Sequence, residues 1–234
     1  MKTLRKYSLG LLAGLTLAVG CEFTDIDPPY AQDADAFFNS PEDYELALVG
    51  AYDLLQTSYL SLWLGEIASD NAIAGGESVT DTEGLHQIDN MTHGGVNNEL
   101  RSFFRWNYAG ITRANYIFEH KDKIDFDGKD RILAQAAFLR AYYYFELVKV
   151  FGPVPLVVDR RIGADEVASI ERAPVEQVWA QIETDLTYAA GILGWTAPQK
   201  GRITKGAALA LLGKAHLYQN EFNEAATALD RVIT

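Results

Sequence analysis

The hydrophobic residues of this chain recur mostly at the spacing of α-helices, and the strongest such pattern lies between residues 131 and 151. Apolar positions repeat there at helical spacing and aromatic residues fill the gaps: Ala136, Leu139, Tyr143, Leu147 and Val150, with Tyr142, Tyr144 and Phe145 between them. A helix that is apolar on every side is packed on every side, so its neighbours must be other helices. Gly152 suits a left-handed C-cap and Pro153 cannot continue the helical hydrogen bonds, so the helix ends there.

Capping residues and apolar stripes predict further helices on both sides of this segment. Ser40 is followed by a proline and two acids, which is typical of a helix start. Asn97 and Thr204 are also placed as N-caps, and Pro174 is placed at the first position of a helix. The predicted helices are 41 to about 58, 99 to about 120, 131–151, 174–193, and 204 to about 219, with a short extended run at 154–158. The fold class is therefore mostly all-α.

Residues 204–234 have the spacing of a tetratricopeptide helix pair: Leu212, Gly213, His216, Asn220, Phe222, Ala225 and Leu229. The small residues Gly213 and Ala225 predict close helix contact, and Phe222 is expected to fill the gap near the turn. His216 replaces the usual aromatic residue and Asn220 the usual glycine. Because such pairs bury their faces by stacking, we expect helix pairs packed into a superhelical scaffold with long irregular loops. The uncapped last helix predicts that the domain, residues 39–234, is incomplete at its C-terminus.

The segment 70–98 has no sustained hydrophobic period and is rich in glycine, asparagine and acids. Irregular segments of this length in compact domains are usually functional or disordered. Its amides and carboxylates are suited to a neutral polar ligand, but an insertion without a role is an equal alternative. His86 and His93 lie among acids here, yet no zinc-type spacing is present, so a solvated loop is favoured over a metal cluster.

The N-terminus has the three regions of a bacterial lipoprotein leader. Basic residues precede an apolar run from Leu9 to Val19, which is too short to cross a membrane. Leu17-Ala-Val-Gly-Cys21 resembles a lipobox, with Ala18 where leucine is commoner. We therefore expect a signal peptide at 1–20, lipidation of Cys21 and an acidic tether over 21–38; an ordinary signal peptide is the alternative. Removing 1–20 takes away three positive charges and changes the net charge from −12 to −15.

Charge and motif content exclude several classes of function. A net charge of −12 argues against nucleic-acid binding, which needs a basic face. No nucleophile elbow, phosphate loop or cysteine-based site is present, and the paired carboxylates are explained by helix starts and exposed faces. We expect no catalytic residue, no metal site and no cofactor. Of the four tryptophans, Trp106 and Trp179 are expected to pack inside, whereas Trp63 and Trp195 lie near loops; Trp195 is the better surface candidate, although packing is favoured over sugar stacking.

Several motifs occur together and in a fixed order: Cys21 in its lipobox, Ala51-Tyr-Asp-Leu-Leu55, Ser69-Asp-Asn71, Trp106-Asn-Tyr-Ala-Gly-Ile-Thr-Arg-Ala-Asn-Tyr116, Ala137-Phe-Leu-Arg-Ala-Tyr-Tyr-Tyr-Phe-Glu-Leu-Val-Lys-Val-Phe-Gly-Pro-Val-Pro-Leu156 and Thr204-Lys-Gly-Ala-Ala-Leu-Ala-Leu-Leu-Gly-Lys-Ala215. With these motifs the chain resembles the N-terminal half of the SusD/RagB family of outer-membrane nutrient-binding lipoproteins. The resemblance covers essentially the whole chain, and the motif from Phe138 to Pro155 is highly specific.

The resemblance implies a lipid-anchored protein of the outer membrane that faces the cell exterior. Its implied partner is a SusC-like TonB-dependent barrel, to which it passes a captured oligosaccharide or peptide. Candidate ligand contacts lie in and after the irregular segment, with one surface tryptophan added: Asn90, His93, Asn97, Asn98, Arg101 and Trp195. The alternative is a tetratricopeptide-type lipoprotein that binds peptides or proteins rather than glycans.

Overall fold

The computed structural model describes residues 37–234 except Val79 and Ala164. The predicted signal peptide, the predicted lipidation site Cys21 and nearly all of the predicted tether lie outside the described residues. Residues 38–234 form one compact unit. No helix in the described part of the chain has both the length and the apolarity to cross a membrane.

The predicted helices are present in the predicted order, but the first ends at Asp53 rather than near 58, and two helices that were not predicted follow it. Helix α1 (Pro41–Asp53) leads through a 3₁₀ turn (Leu54–Thr57) into α2 (Ser58–Ile67). Then come α3 (Glu83–Asp89), α4 (Asn98–Glu119), α5 (Lys129–Phe151), α6 (Val175–Ile192), α7 (Lys205–Tyr218) and α8 (Phe222–Ile233). Between α5 and α6, β1 (Val154–Pro155) pairs antiparallel with β2 (Arg172–Ala173). The prediction of a mostly α-helical fold is confirmed.

Most of the predicted helix starts are confirmed by their capping bonds. The Ser40 hydroxyl accepts from the Asp43 amide at 3.3 Å, and the Asp43 carboxylate accepts from the Ser40 amide at 2.9 Å. Such reciprocal bonds satisfy amides that have no partner inside the helix. The Thr204 hydroxyl likewise accepts from the Ala207 amide. The placement of Pro174 was wrong by one position: it is the N-cap of α6.

Helix α5 is the centre of the compact unit. It packs against α1, α4 and α6 and also contacts α7, and 15 of its 23 residues are buried. The hydroxyls of Tyr143 and Tyr144 donate to the carbonyls of Ala51 and Val157 at 2.7 and 2.8 Å. These tyrosines are therefore core residues with satisfied hydroxyls, as predicted, and not a surface platform.

A buried ion pair joins α5 to α6. The guanidinium of Arg140 donates to both carboxylate oxygens of Asp185 at 2.8 and 2.7 Å, and both side chains are about 95% buried. Arg140 also donates to Asn115 and to the carbonyl of Val158, and its guanidinium carbon lies 4.1 Å from the centre of the Phe118 ring. Because every charge is paired, this network holds α4, α5, α6 and the segment after β1 in one arrangement.

The helix pair α7–α8 confirms part of the tetratricopeptide pattern. A Cβ on Gly213 would lie 2.6 Å from Leu229 Cγ, so only glycine permits this approach. Asn220 adopts φ 63°, the left-handed conformation that a glycine there would take. The expectation for Phe222 was wrong, because the residue is 63% exposed. It lies at the first position of α8, one turn before the buried Ala225, and no described helix covers it.

Two further expectations are corrected. The segment 70–98 is not irregular throughout, since it contains the short helix α3, whose Ile88 packs with Leu64 and Phe103. Trp106 was expected inside but is 45% exposed, because the buried stripe of α4 passes through Phe103 and Asn107 and leaves Trp106 beside it. Trp179 is buried, as predicted.

Candidate functional site

A cavity of about 1000 Å³ opens between α2, α4, the end of α5 and the loop that precedes α4. Its volume lies at the upper end of the range usual for ligand pockets. Helix α3 contributes Ile88 to the lining and accepts hydrogen bonds from Asn97 of this loop through Gly84 and Gln87, so the short helix that the sequence did not predict shapes the site. Tyr218 at the end of α7 also reaches the cavity.

The base of the cavity is apolar and aromatic. Leu64, Ile88 and Phe103 form a buried cluster on which Leu100 and Phe151 pack. The rings of Phe104 and Phe151 meet edge to face with their centres 5.3 Å apart. Both rings are half-buried, and Tyr218, which also lines the cavity, is 51% exposed and packs on Phe145 and Trp179. Aromatic faces of this kind bind the apolar faces of ligands that also carry polar groups.

The edge of the cavity carries hydrogen-bond donors. The exposed guanidinium of Arg101 donates to Asn98 at 3.0 Å and keeps further donors free for a ligand. The ammonium of Lys149 is held between Ser61 and Glu146, at 2.9 and 2.8 Å. His93 lies exposed on the loop. The site thus offers cationic donors beside aromatic rings.

Acid–base chemistry finds little support in this cavity. Its described lining contains no carboxylate, whereas glycoside hydrolysis uses two. Tyr108 packs against Phe104 behind the lining and donates to the Pro155 carbonyl at 2.6 Å. Burial raises the pKa of this phenol far above its ordinary value, so it remains a neutral donor.

Of the six candidate ligand residues, three line the cavity: His93, Asn97 and Arg101. The Asn97 side chain is already committed, because its oxygen accepts from the amides of Glu99 and Leu100 and its nitrogen donates to Gly84 and Gln87. With only 3% exposure, Asn97 shapes the loop. Its direct contact with a ligand stays a prediction, as do the contacts of His93 and Arg101.

The other three candidates lie outside the cavity lining. Asn90 donates to the His86 carbonyl at the end of α3, and Asn98 accepts from Arg101. Trp195 is 55% exposed, which confirms it as a surface residue, and the Lys205 ammonium lies 5.8 Å from its ring centre. Trp63 is also exposed, but within α2 rather than in a loop, and it packs edge to face on Tyr59.

Sequence reasoning missed the cavity residues that come from α2 and from the end of α5. Ser61, Lys149 and Phe151 line the same cavity as His93 and Arg101 only because the end of α5 lies beside α2, where Lys149 donates to Ser61. Phe104 of α4 was missed as well. A signal was present in Lys149, the one charged residue in the last turn of α5.

Comparison with known proteins points to one family. The model of the SusD-like family described as "Starch-binding associating with outer membrane" matches residues 22–217. Two SusD-like proteins of Formosa agariphila are 27% and 28% identical to this chain over 98% and 100% of its length. The chain spans 46% of the length of each of them.

Solved structures agree with this assignment. A laminarin-binding SusD-like protein shares 35% sequence identity and superimposes with a TM-score of 0.73, over 82% of this chain and 43% of that one. A SusD-like protein from Bacteroides fragilis, 25% identical, gives a TM-score of 0.76 over 87% of this chain and 40% of that one. A surface glycan-binding protein from Bacteroides uniformis, also 25% identical, gives 0.73 over 83% and 46%.

Proposed function

This chain belongs to the SusD-like family of starch-binding proteins that associate with the outer membrane, and from this premise we propose that it binds an oligosaccharide. The family match over residues 22–217 is the observation that carries the proposal. The cavity between α2, α4 and α5 is the proposed location of part of the site. Residues 39–234 are proposed to be the N-terminal helical part of a longer binding protein, because the matched relatives are about twice as long.

The chemistry of the cavity supports a sugar ligand. A pyranose ring has an apolar face that packs on an aromatic ring and a rim of hydroxyls that need hydrogen-bond partners. In this proposal the half-buried rings of Phe104 and Phe151 pack on the apolar face of the sugar. The free donors of Arg101 and His93 bond its hydroxyls. Trp195 lies apart from the cavity and is proposed as a separate contact.

The remaining parts of the proposal concern location and delivery. Lipidation of Cys21 would anchor the protein to the outer membrane with its helices outside the cell. The bound glycan would then pass to a SusC-like TonB-dependent transporter. These steps rest on family membership and on the leader pattern. Copurification of a barrel protein from membranes of the native organism, lost when Cys21 is changed to Ser, is the expected result.

Calorimetric titration with laminarin oligosaccharides tests the ligand, because a laminarin-binding protein is among the structural neighbours; maltooligosaccharides are the second probe because of the family's starch description. We expect Arg101→Ala to weaken binding by roughly 10- to 100-fold, the range for one hydrogen bond to a charged group. Arg105→Ala is the matched control, since Arg105 is exposed on the same helix and lies outside the lining.

Two outcomes contradict the proposal in different ways. Equal losses of glycan affinity for Arg101→Ala and Arg105→Ala would show that the cavity is not part of the binding site. Binding of peptides but of no glycan would favour the peptide-binding alternative.

A further inference from the structure

A histidine and a glutamate are brought together by the turn between α7 and α8. Helix α7 ends with the amide of Glu221 donating to the His216 carbonyl at 2.9 Å and the amide of Asn220 donating to Leu217 at 3.2 Å. With Asn220 at φ 63°, these are the two bonds of a Schellman motif. The backbone of the turn therefore fixes the distance between residues 216 and 221.

The chemical character of this turn is unusual. In a Schellman motif, the residues at these two positions commonly make a hydrophobic contact that closes the helix end. Here they are His216 and Glu221, whose Nδ1 and Oε2 atoms lie 2.6 Å apart. Two potential metal ligands thus occupy a place where apolar side chains are common.

A third ligand comes from α6. The Oε1 atom of Glu183 lies 3.9 Å from His216 Nδ1, and one atom each of Glu183, His216 and Glu221 fall within 4.8 Å of one another. The Gln219 amide donates to Glu183 Oε1 at 2.6 Å and so orients this carboxylate from outside the cluster. The His216 side chain is 13% exposed, while the two carboxylates are 29% and 42% exposed, so an ion has a path of entry.

We propose that Glu183, His216 and Glu221 form a binding site for a divalent transition-metal ion, with Zn²⁺ the best match. One imidazole nitrogen and two carboxylates are a ligand set that zinc accepts, with water in the fourth position. Calcium takes six to eight oxygen ligands and fits this set poorly. Two carboxylates also balance the charge of the ion.

The two distances from His216 Nδ1 to the carboxylates are close to those of coordination. Tetrahedral ligands at zinc bond lengths lie about 3.3 Å from one another. The His216–Glu221 contact would open by about 0.7 Å and the His216–Glu183 distance would close by about 0.6 Å, which side-chain rotation provides. The bound ion would join α6, α7 and α8 and stabilise the folded state through linkage.

The site was not predicted from the sequence, where no metal site is expected. Glu183 and His216 are 33 residues apart, and the end of α7 lies between His216 and Glu221, so no familiar metal-binding spacing is present. The proposal is independent of glycan binding, because none of the three ligands lines the cavity.

Isothermal titration of the chelator-treated whole protein with ZnCl₂ tests the proposal. We expect one ion per chain, and we expect Glu183→Gln and His216→Gln each to weaken binding by more than the roughly 10- to 100-fold that loss of an outer-shell partner costs. Glu224→Gln is the matched control: it removes the same charge from an exposed position in the first turn of α8 and should bind like the parent.

Glu183→Gln leaves the Schellman turn intact, so its result stands even if His216→Gln fails to fold. A Co²⁺-loaded sample should give the visible d–d absorption of a four-coordinate site, absent in Glu183→Gln. The proposal is overturned if Zn²⁺ does not bind, if the Glu183→Gln and Glu224→Gln variants bind with equal affinity, or if Ca²⁺ binds in preference to Zn²⁺.

Discussion

Gly110 shows how closely α4 approaches α5. A Cβ on this residue would lie 2.4 Å from Cε2 of Tyr143, whose ring is buried and whose hydroxyl is bonded to Ala51. Because the ring cannot move without losing that bond, we expect Gly110→Ala to lower the free energy of unfolding by about 1–3 kcal/mol. Urea denaturation followed by circular dichroism measures this change.

The same substitution at Gly191 is the control. Gly191 is exposed in α6, and nothing lies within 4 Å of an added Cβ. Since alanine favours a helix over glycine, Gly191→Ala should raise the free energy of unfolding by up to about 1 kcal/mol. Changes of the same sign at both positions would contradict the packing explanation.

Asp185 carries a second prediction at the residue scale. Asp185→Asn would leave the buried Arg140 cation without its counter-charge, and we expect a loss of about 3–5 kcal/mol in the free energy of unfolding. The matched control is Asp53→Asn, which breaks the exposed pair with Arg113 and should cost no more than about 1 kcal/mol. Similar losses in the free energy of unfolding for the two variants, measured by urea denaturation, would show that the buried pair contributes no more to stability than the exposed pair.

At the scale of elements, the sequence predicted helix starts well, but it missed the short helix α3 and the exposure of Trp106. Ser40, Asn97 and Thr204 were placed correctly because capping is local chemistry between residues two or three positions apart. Helix α3 was missed because its stability comes from Ile88 packing on Leu64 and Phe103, which are distant in the chain. Trp106 was misplaced for a related reason, since its exposure depends on which face of α4 the neighbouring helices cover.

Asn97 joins two elements and gives a prediction at this scale. It caps α4 and also donates to Gly84 and Gln87 of α3. We expect Asn97→Ala to cost about 0.5–2 kcal/mol from the lost cap, and to increase amide hydrogen exchange in residues 83–97. Asn97→Asp keeps the cap acceptor but removes the donors, so it should speed exchange in α3 while leaving the start of α4 protected. Unchanged exchange in α3 for both variants would show that Asn97 does not hold the loop beside the cavity.

At the scale of the whole molecule, the candidate site was only half predictable. His93 and Arg101 were found because polar residues cluster near them in the chain. Lys149 and Phe151 reach the same cavity from the other end of α5, and that meeting depends on helix packing which periodicity does not specify. The fold class followed from periodicity, whereas the site required the tertiary arrangement.

Alkaline unfolding is a prediction for the whole molecule. Burial raises the pKa of Tyr144 to about 12, although its bond to Val157 opposes the shift. In the unfolded chain a tyrosine ionises near 10, so between about pH 10 and 12 the folded state holds the proton that the unfolded state loses. Stability should therefore fall as pH rises, by about 1.4 kcal/mol per pH unit from this residue.

Absorbance of tyrosinate at 295 nm, followed from pH 8 to 13, measures this effect. The folded protein should show delayed ionisation with a steep step on unfolding, whereas the same titration in strong denaturant should be smooth and centred near pH 10. A smooth curve centred near pH 10 without denaturant would contradict burial of the tyrosine cluster.

The pairing of Arg140 with Asp185 also has a consequence for the order of folding during synthesis. The two residues are 45 positions apart, so the cation of α5 emerges long before its counter-ion in α6. Until α6 is made, α5 cannot dock its inner face without burying an uncompensated charge. We therefore expect α4, α5 and α6 to become ordered in a single late step, unlike a repeat array, in which each pair forms and adds to the last.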